Sequence, residues 1–236
     1  MQIKSHWENI TVLSKEMPLY VSVPENLLNP PAVIVLQEIF GVNSHIREVT
    51  DQIAQQGYLA VAPDVFHRKG DRYESGYDRV LEGQVKKQEL IDSDFLSDID
   101  FVFKWLNSQG ATRVGSIGFC LGGRLAFLTA TSKKLDCAVS FYGGGIAVQL
   151  LDLTQWIQCP IQLYFGGKDS IIPTTEIKQI EKKLKSLQKS FEIKVYPEAE
   201  HGFLCDQRGS FHPGSAEDAW AKVYAFLNQT LRCPIR

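Results

Sequence analysis

Residues 114–123 of this 236-residue chain read VGSIGFCLGG. An apolar run gives way to a tight, glycine-flanked turn with Cys120 at its apex. Gly118-Phe119-Cys120-Leu121-Gly122 has the G-x-nucleophile-x-G form of a nucleophile elbow, a sharp and strained strand-to-helix turn. Side chains two positions before or after the apex would collide with neighbouring elements, so glycine is needed there. The apex residue stands at a helix N-terminus, where free backbone N–H groups and the helix dipole favour negative charge. That setting suits a thiolate and an oxyanion. An isolated cysteine is usually a small buried hydrophobe; within this motif, between strand and helix, the catalytic reading outweighs that one.

A thiol nucleophile needs a base, and the base needs an orienting group. Cys120 is followed by Asp169 in YFGGKDSIIP and by His201 in EAEHGF, the order nucleophile, acid, histidine. Both follow predicted strands. Their ordinary readings are a turn or helix-capping aspartate and a surface-loop histidine. His45, His67 and His212 lack such placement, and Asp206 lies inside the loop after the histidine rather than at a strand end. Glu38, in LQEIFG, ends a buried apolar strand, where a charge costs several kcal/mol unless paired. It either satisfies backbone N–H groups or an arginine, or acts on the Cys120 thiol. In the second case the N–H groups of Ile39 and Leu121 face the oxyanion.

Composition narrows the alternatives. A net charge of −2 leaves no electrostatic footprint for nucleic acid or an anionic membrane. No apolar run approaches the roughly 20 residues of a spanning helix, and the opening MQIKSHWENI lacks the apolar core of a signal peptide. A cytoplasmic location is expected. The five cysteines (Cys120, Cys137, Cys159, Cys205 and Cys233) are odd in number and widely spaced, with no CxxC. That argues against a disulfide framework and a structural zinc site. The histidines show no metal-binding spacing, and the glycines around Cys120 do not match a dinucleotide fingerprint. Neither metal nor cofactor is expected.

The elements that must position these residues alternate. ITVLSKEMPLYVSVPE predicts a short hairpin. AVIVLQEIFG, YLAVAPDVF, RVGSIGF, CAVSFYGGG, PIQLYFGGKD and SFEIKVYPEAEHGF predict strands. Helices are predicted over HIREVTDQIAQQGY, residues 91–108, LGGRLAFLTATS, TTEIKQIEKKLKSLQ and SAEDAWAKVYAFLNQTL, the last capped by the Ser215/Asp218 spacing. Residues 66–90 read as a polar surface excursion. With no repeat or linker, the chain is expected to be one α/β domain over 1–236. Its architecture is a three-layer α/β/α sandwich around a mostly parallel sheet. Ligands then sit beyond the carboxyl ends of the strands, where QEIFG, GFCLGG, GGKD and AEHGF all lie.

Taken in this order and spacing, LQEIFGV, GYLAVAPDVFHR, GSIGFCLGG, GGKDSIIP and AEHGF resemble the dienelactone hydrolase family of α/β-hydrolases, from about residue 15 onward. The family hydrolyses an unsaturated lactone bearing a carboxylate. The resemblance implies Cys120 as nucleophile, His201 as base, Asp169 as orienter, Glu38 as the residue holding the resting thiol, and Ile39 and Leu121 as oxyanion donors. It implies a small lactone or ester substrate. Family members hold the substrate carboxylate with arginines; here Arg68, Arg72 and Arg79 in the excursion and Arg208 after the histidine could form a basic rim favouring an anionic substrate. Arg72 and Arg208 are the first choices. A thiol redox protein using Cys205 and a non-catalytic binding protein are the competing readings.

Overall fold

Two ten-residue strands, β1 (Ile3–Val12) and β2 (Lys15–Pro24), form an antiparallel hairpin. The hairpin is longer than expected because the outer half of β1 is polar and mostly exposed, a weak signal in sequence. The computed structural model describes residues 1–70, 72–133 and 135–232, in two units, Met1–Val114 and Gly115–Arg236. Cys233 lies outside the described residues.

In the first unit, β3 (Ala32–Leu36) and β4 (Leu59–Pro63) are fully buried apolar strands in parallel register, and β2 runs antiparallel to β4. Between them runs α1 (Ser44–Gln55), capped by the Asn43 side chain, which accepts from the Ile46 N–H; Ile46, Val49 and Ile53 face inward as expected. The excursion after β4 holds an unexpected helix, α2 (Val80–Gln88). Its one buried residue is Gly83, so it presents no apolar stripe for sequence periodicity to detect. In α3 (Asp92–Ser108), Phe95, Ile99, Val102 and Leu106 form the expected buried stripe.

A buried polar cluster ties the start of the excursion to α3. Asp98 meets His67 Nε2 at 2.9 Å and accepts two bonds from Arg68, while His67 Nδ1 lies 3.1 Å from the Glu16 carbonyl.

The second unit contains β5 (Val114–Phe119, beginning at the unit boundary), β6 (Cys137–Phe141), β7 (Ile161–Gly166) and β8 (Phe191–Tyr196), all parallel and adjacent in that order. Its helices are α4 (Leu121–Ser132), α5 (Thr174–Ser186) and α6 (Pro213–Leu231). The parallel register lines up aromatic residues near the strand ends. Phe119 stacks on Phe141 at 5.3 Å, Phe141 on Tyr164 at 4.7 Å and Tyr164 on Tyr196 at 6.4 Å.

The cap of α6 differs from expectation. Pro213 opens the helix and His212 caps it, Nδ1 accepting from the Ser215 N–H. Asp218 instead accepts from the Tyr196 hydroxyl at 2.8 Å. Among the described residues no helix is long and apolar enough to cross a membrane.

Candidate active site

β5 is buried throughout, and the chain turns directly from Phe119 into α4. Cys120 sits at φ 53°, ψ −112°, a conformation L residues adopt only under constraint. Its N–H is held by the Phe141 carbonyl at 3.0 Å. A Cβ on Gly118 would overlap the Gly122 carbonyl, so contact requires glycine at 118. Cys120 is partly exposed at the apex. Leu121 is the first residue of α4, so its N–H is among the donors that have no intrahelical acceptor.

The loops after β7 and β8 are laced together. Gly167 N–H donates to the Tyr196 carbonyl at 2.7 Å and Lys168 N–H to the Ala199 carbonyl at 2.9 Å. A Cβ on Gly166 would overlap the Ala199 carbonyl, and one on Gly167 would lie 2.7 Å from Pro197 Cα. The Gly-Gly pair of GGKD therefore permits backbone-to-backbone contact, and the contact brings Asp169 to His201. Asp169 Oδ1 accepts from the N–H groups of Ile171 (2.8 Å) and Ile172 (3.1 Å), and Oδ2 lies 2.8 Å from His201 Nδ1. An ionised carboxylate only accepts, so Nδ1 carries a hydrogen, and in the neutral ring it is Nε2 that keeps the lone pair.

His201 Nε2 is buried and makes no hydrogen bond. Burial disfavours the imidazolium, but the bond to Asp169 and the neighbouring Cys120 sulfur favour it more, and the pKa is pushed up to about 10. The Cys120 sulfur therefore lies close enough to the ring to favour its protonated form. A thiol, an imidazole with a free Nε2 and an orienting carboxylate are brought together, and such a set can pass a proton and form a covalent acyl adduct.

The remaining expected residues fall as follows. Leu121 adjoins Cys120 at the start of α4. Glu38 and Ile39, in the first unit, are buried in the turn after β3. Arg72 is exposed, with its guanidinium 4.7 Å from the Trp7 ring centroid and its N–H on Asp64 Oδ2. Arg68 is engaged by Asp98, and Arg79 pairs with Glu82 at 3.1 Å. Arg208 lies against Gly202, next to His201: a Cβ on Gly202 would be 2.6 Å from its Cζ.

The residue that the sequence reading passed over is Tyr142. Its ring lies 5.1 Å from that of His201. The available signal was an aromatic residue at a strand end ahead of three glycines.

A model of the dienelactone hydrolase family matches residues 17–231. A Synechocystis protein provisionally named carboxymethylenebutenolidase is 37% identical over 225 residues, 90% of this chain and 92% of its own length. An Escherichia coli protein of the same provisional name is also 37% identical over 225 residues, 90% of this chain and 82% of its own. The crystal structure of a provisionally named dienelactone hydrolase from Klebsiella pneumoniae superposes with a TM-score of 0.91 at 34% identity, covering 97% of this chain and all of that one. The fold is therefore the α/β-hydrolase fold, with its mostly parallel sheet.

Proposed function

The chain belongs to the dienelactone hydrolase family, hydrolases acting on ester bonds of small molecules, and from that premise we propose that it cleaves lactones or activated esters through Cys120, His201 and Asp169. Cys120 sulfur attacks the carbonyl carbon and His201 Nε2 takes the thiol proton. The tetrahedral oxyanion is met by the N–H groups of Ile39 and Leu121. Collapse breaks the carbon–oxygen bond of the ester, His201 returns the proton to the departing alkoxide, and a thioester remains on Cys120. Water, deprotonated by His201, then adds to the thioester; the acid leaves and the thiol is restored. No cofactor enters these steps.

Asp169 holds the tautomer that leaves Nε2 free. Glu38, by family likeness, holds the resting thiol in its protonated form, since a second negative charge beside a carboxylate is disfavoured. The observation that carries the reading is His201: Nδ1 is committed to Asp169 at 2.8 Å, and the ring feels the Cys120 sulfur as well as that carboxylate. For a substrate carboxylate, Arg208, beside Gly202 and so next to His201, is the first choice, with Arg72 second. We assign the protein to the cytoplasm, where the free thiols of Cys120, Cys137 and Cys159 are at home.

The test is acyl trapping. Mixing with a p-nitrophenyl ester and quenching in acid should leave an acyl group on the peptide containing Cys120, removable by hydroxylamine and absent after alkylation with iodoacetamide. Full turnover by the alkylated protein would contradict the reading.

A further inference from the structure

We propose that Tyr142 is a positioning residue for the base: its ring is the surface on which the His201 imidazole is seated, and the backbone strain at Tyr142 puts the ring there. The inference rests on the reading of His201 given above.

Among the described residues of the second unit, three non-glycine residues have positive φ: Cys120 (53°), Tyr142 (37°) and Gln188 (51°). Gln188 lies just past the end of α5. The other two border His201. A bulky aromatic residue in this region is a genuine outlier, and such strain persists only where the surroundings over-determine it. Here they do. The Tyr142 N–H is bound to the Tyr164 carbonyl at 2.7 Å. The following residue, Gly143, is pressed against the first turn of α4: a Cβ there would lie 2.7 Å from the Gly123 carbonyl carbon and 2.8 Å from the Arg124 N–H nitrogen. Ser140 closes the same contact by donating to the Gly123 carbonyl at 2.8 Å.

The chain leaving β6 is thus pinned on both sides of Tyr142. To pass from the strand into the contact with α4 it must take the left-handed turn at residue 142. Glycine would take that turn without strain, and glycine occupies the next three positions. Tyrosine stands there instead, fully buried, with its ring 5.1 Å from the imidazole at an interplanar angle of 59°. The consequence is mechanical. The helix that carries the Cys120 elbow touches the turn that carries Tyr142, and Tyr142 carries the plane against which His201 rests. One chain of contacts therefore sets where the base stands relative to the nucleophile.

A purely space-filling role is the alternative, since the ring also meets Phe119, Phe141 and Phe203. The experiment compares Tyr142→Phe, Tyr142→Leu and Phe203→Leu, with Cys120→Ala as control, by kcat, KM and the pH profile of kcat on a p-nitrophenyl ester. Folded enzyme is counted by alkylation. Misplacement of a reacting group by about 1 Å can cost roughly 100-fold. Tyr142→Leu should lose tenfold or more in kcat with little change in KM and should shift the pH profile. Tyr142→Phe, which keeps the plane, should recover most of the rate. Phe203→Leu should lower thermal stability and leave the profile in place. Should Tyr142→Leu fail to accumulate folded, Tyr142→Met, which fills space without a plane, replaces it. Wild-type kcat and profile per folded Tyr142→Leu or Tyr142→Met molecule, with an inactive Cys120→Ala, would overturn this inference alone. An active Cys120→Ala would overturn the reading beneath it as well.

Discussion

Asp169 and His201 share a 2.8 Å hydrogen bond from Nδ1 to Oδ2, and the other carboxylate oxygen is taken up by the N–H groups of Ile171 and Ile172. The carboxylate cannot rotate away without breaking three bonds. Asp169→Asn should therefore lower kcat by about 10⁴, the loss typical of a triad carboxylate, while the exposed Asp206 should tolerate the same change. Steady-state kinetics of the two variants decides this, and equal losses would show that the orienter is misassigned.

The imidazole itself gives a second reading of the same relationship. Its pKa is pushed up to about 10 by Asp169 and Cys120 against the effect of burial. A raised folded-state pKa stabilises the fold fully below the unfolded value of about 6.5 and loses that contribution as pH rises through the folded value. NMR titration of the His201 ring protons should show a lower pKa in Asp169→Asn and in Cys120→Ala. An unchanged titration would mean that neither group acts on the ring.

Selective labelling should follow burial. Cys137 and Cys159 are buried, and desolvation pushes their thiols up to about 12 and about 11, so they are poor nucleophiles at neutral pH. Iodoacetamide should modify Cys120 before either, as read by peptide mapping. On the proposed role of Glu38, Glu38→Gln should alkylate faster at Cys120 and turn over more slowly. An unchanged alkylation rate would reduce Glu38 to a structural carboxylate.

Substrate preference turns on Arg208. A lactone carrying a carboxylate should have a higher kcat/KM than its methyl ester, and Arg208→Ala should erase most of the difference by removing a bidentate partner. Equal values for the two substrates in the wild type would point to an apolar pocket.

Stability in acid should depend on Asp98. Burial raises the pKa of its carboxyl, but the bonds from His67 and Arg68 outweigh that and hold it below the usual range. A depressed pKa contributes stability above the unfolded value of about 3.9 that is lost as pH falls through the folded one. Asp98→Asn should cost about 3 kcal/mol at neutral pH, since it breaks a buried ion pair. The gap to wild type should close as pH falls through the depressed folded-state value. Urea melts at neutral and at acid pH check the sign.

Much of this arrangement was legible because it rests on local rules. Buried parallel strands read as unbroken apolar runs, and β3, β4, β5, β6 and β7 are buried from end to end. Gly118 of the elbow and Gly166 and Gly167 of GGKD are forced by backbone contacts that no other residue allows. What escaped depends on tertiary contact. α2 buries only Gly83 and has no apolar face to betray it. The guanidinium of Arg72 lies over the Trp7 ring, a contact between distant parts of the chain that no local pattern announces. Tyr142 reads as the last aromatic residue of a strand, and neither its left-handed backbone nor its neighbour His201 is written in the surrounding residues.

The central claim is that the thiol of Cys120 does the chemistry, and turnover of an activated ester by folded Cys120→Ala tests it most directly. Far-UV circular dichroism and thermal melting should match the wild type, because the side chain is small and partly exposed at the elbow. Hydrolysis should fall by roughly 10⁴-fold or more, to the residual rate that the oxyanion donors and binding support. Retention of near-wild-type kcat by the folded variant would contradict the account.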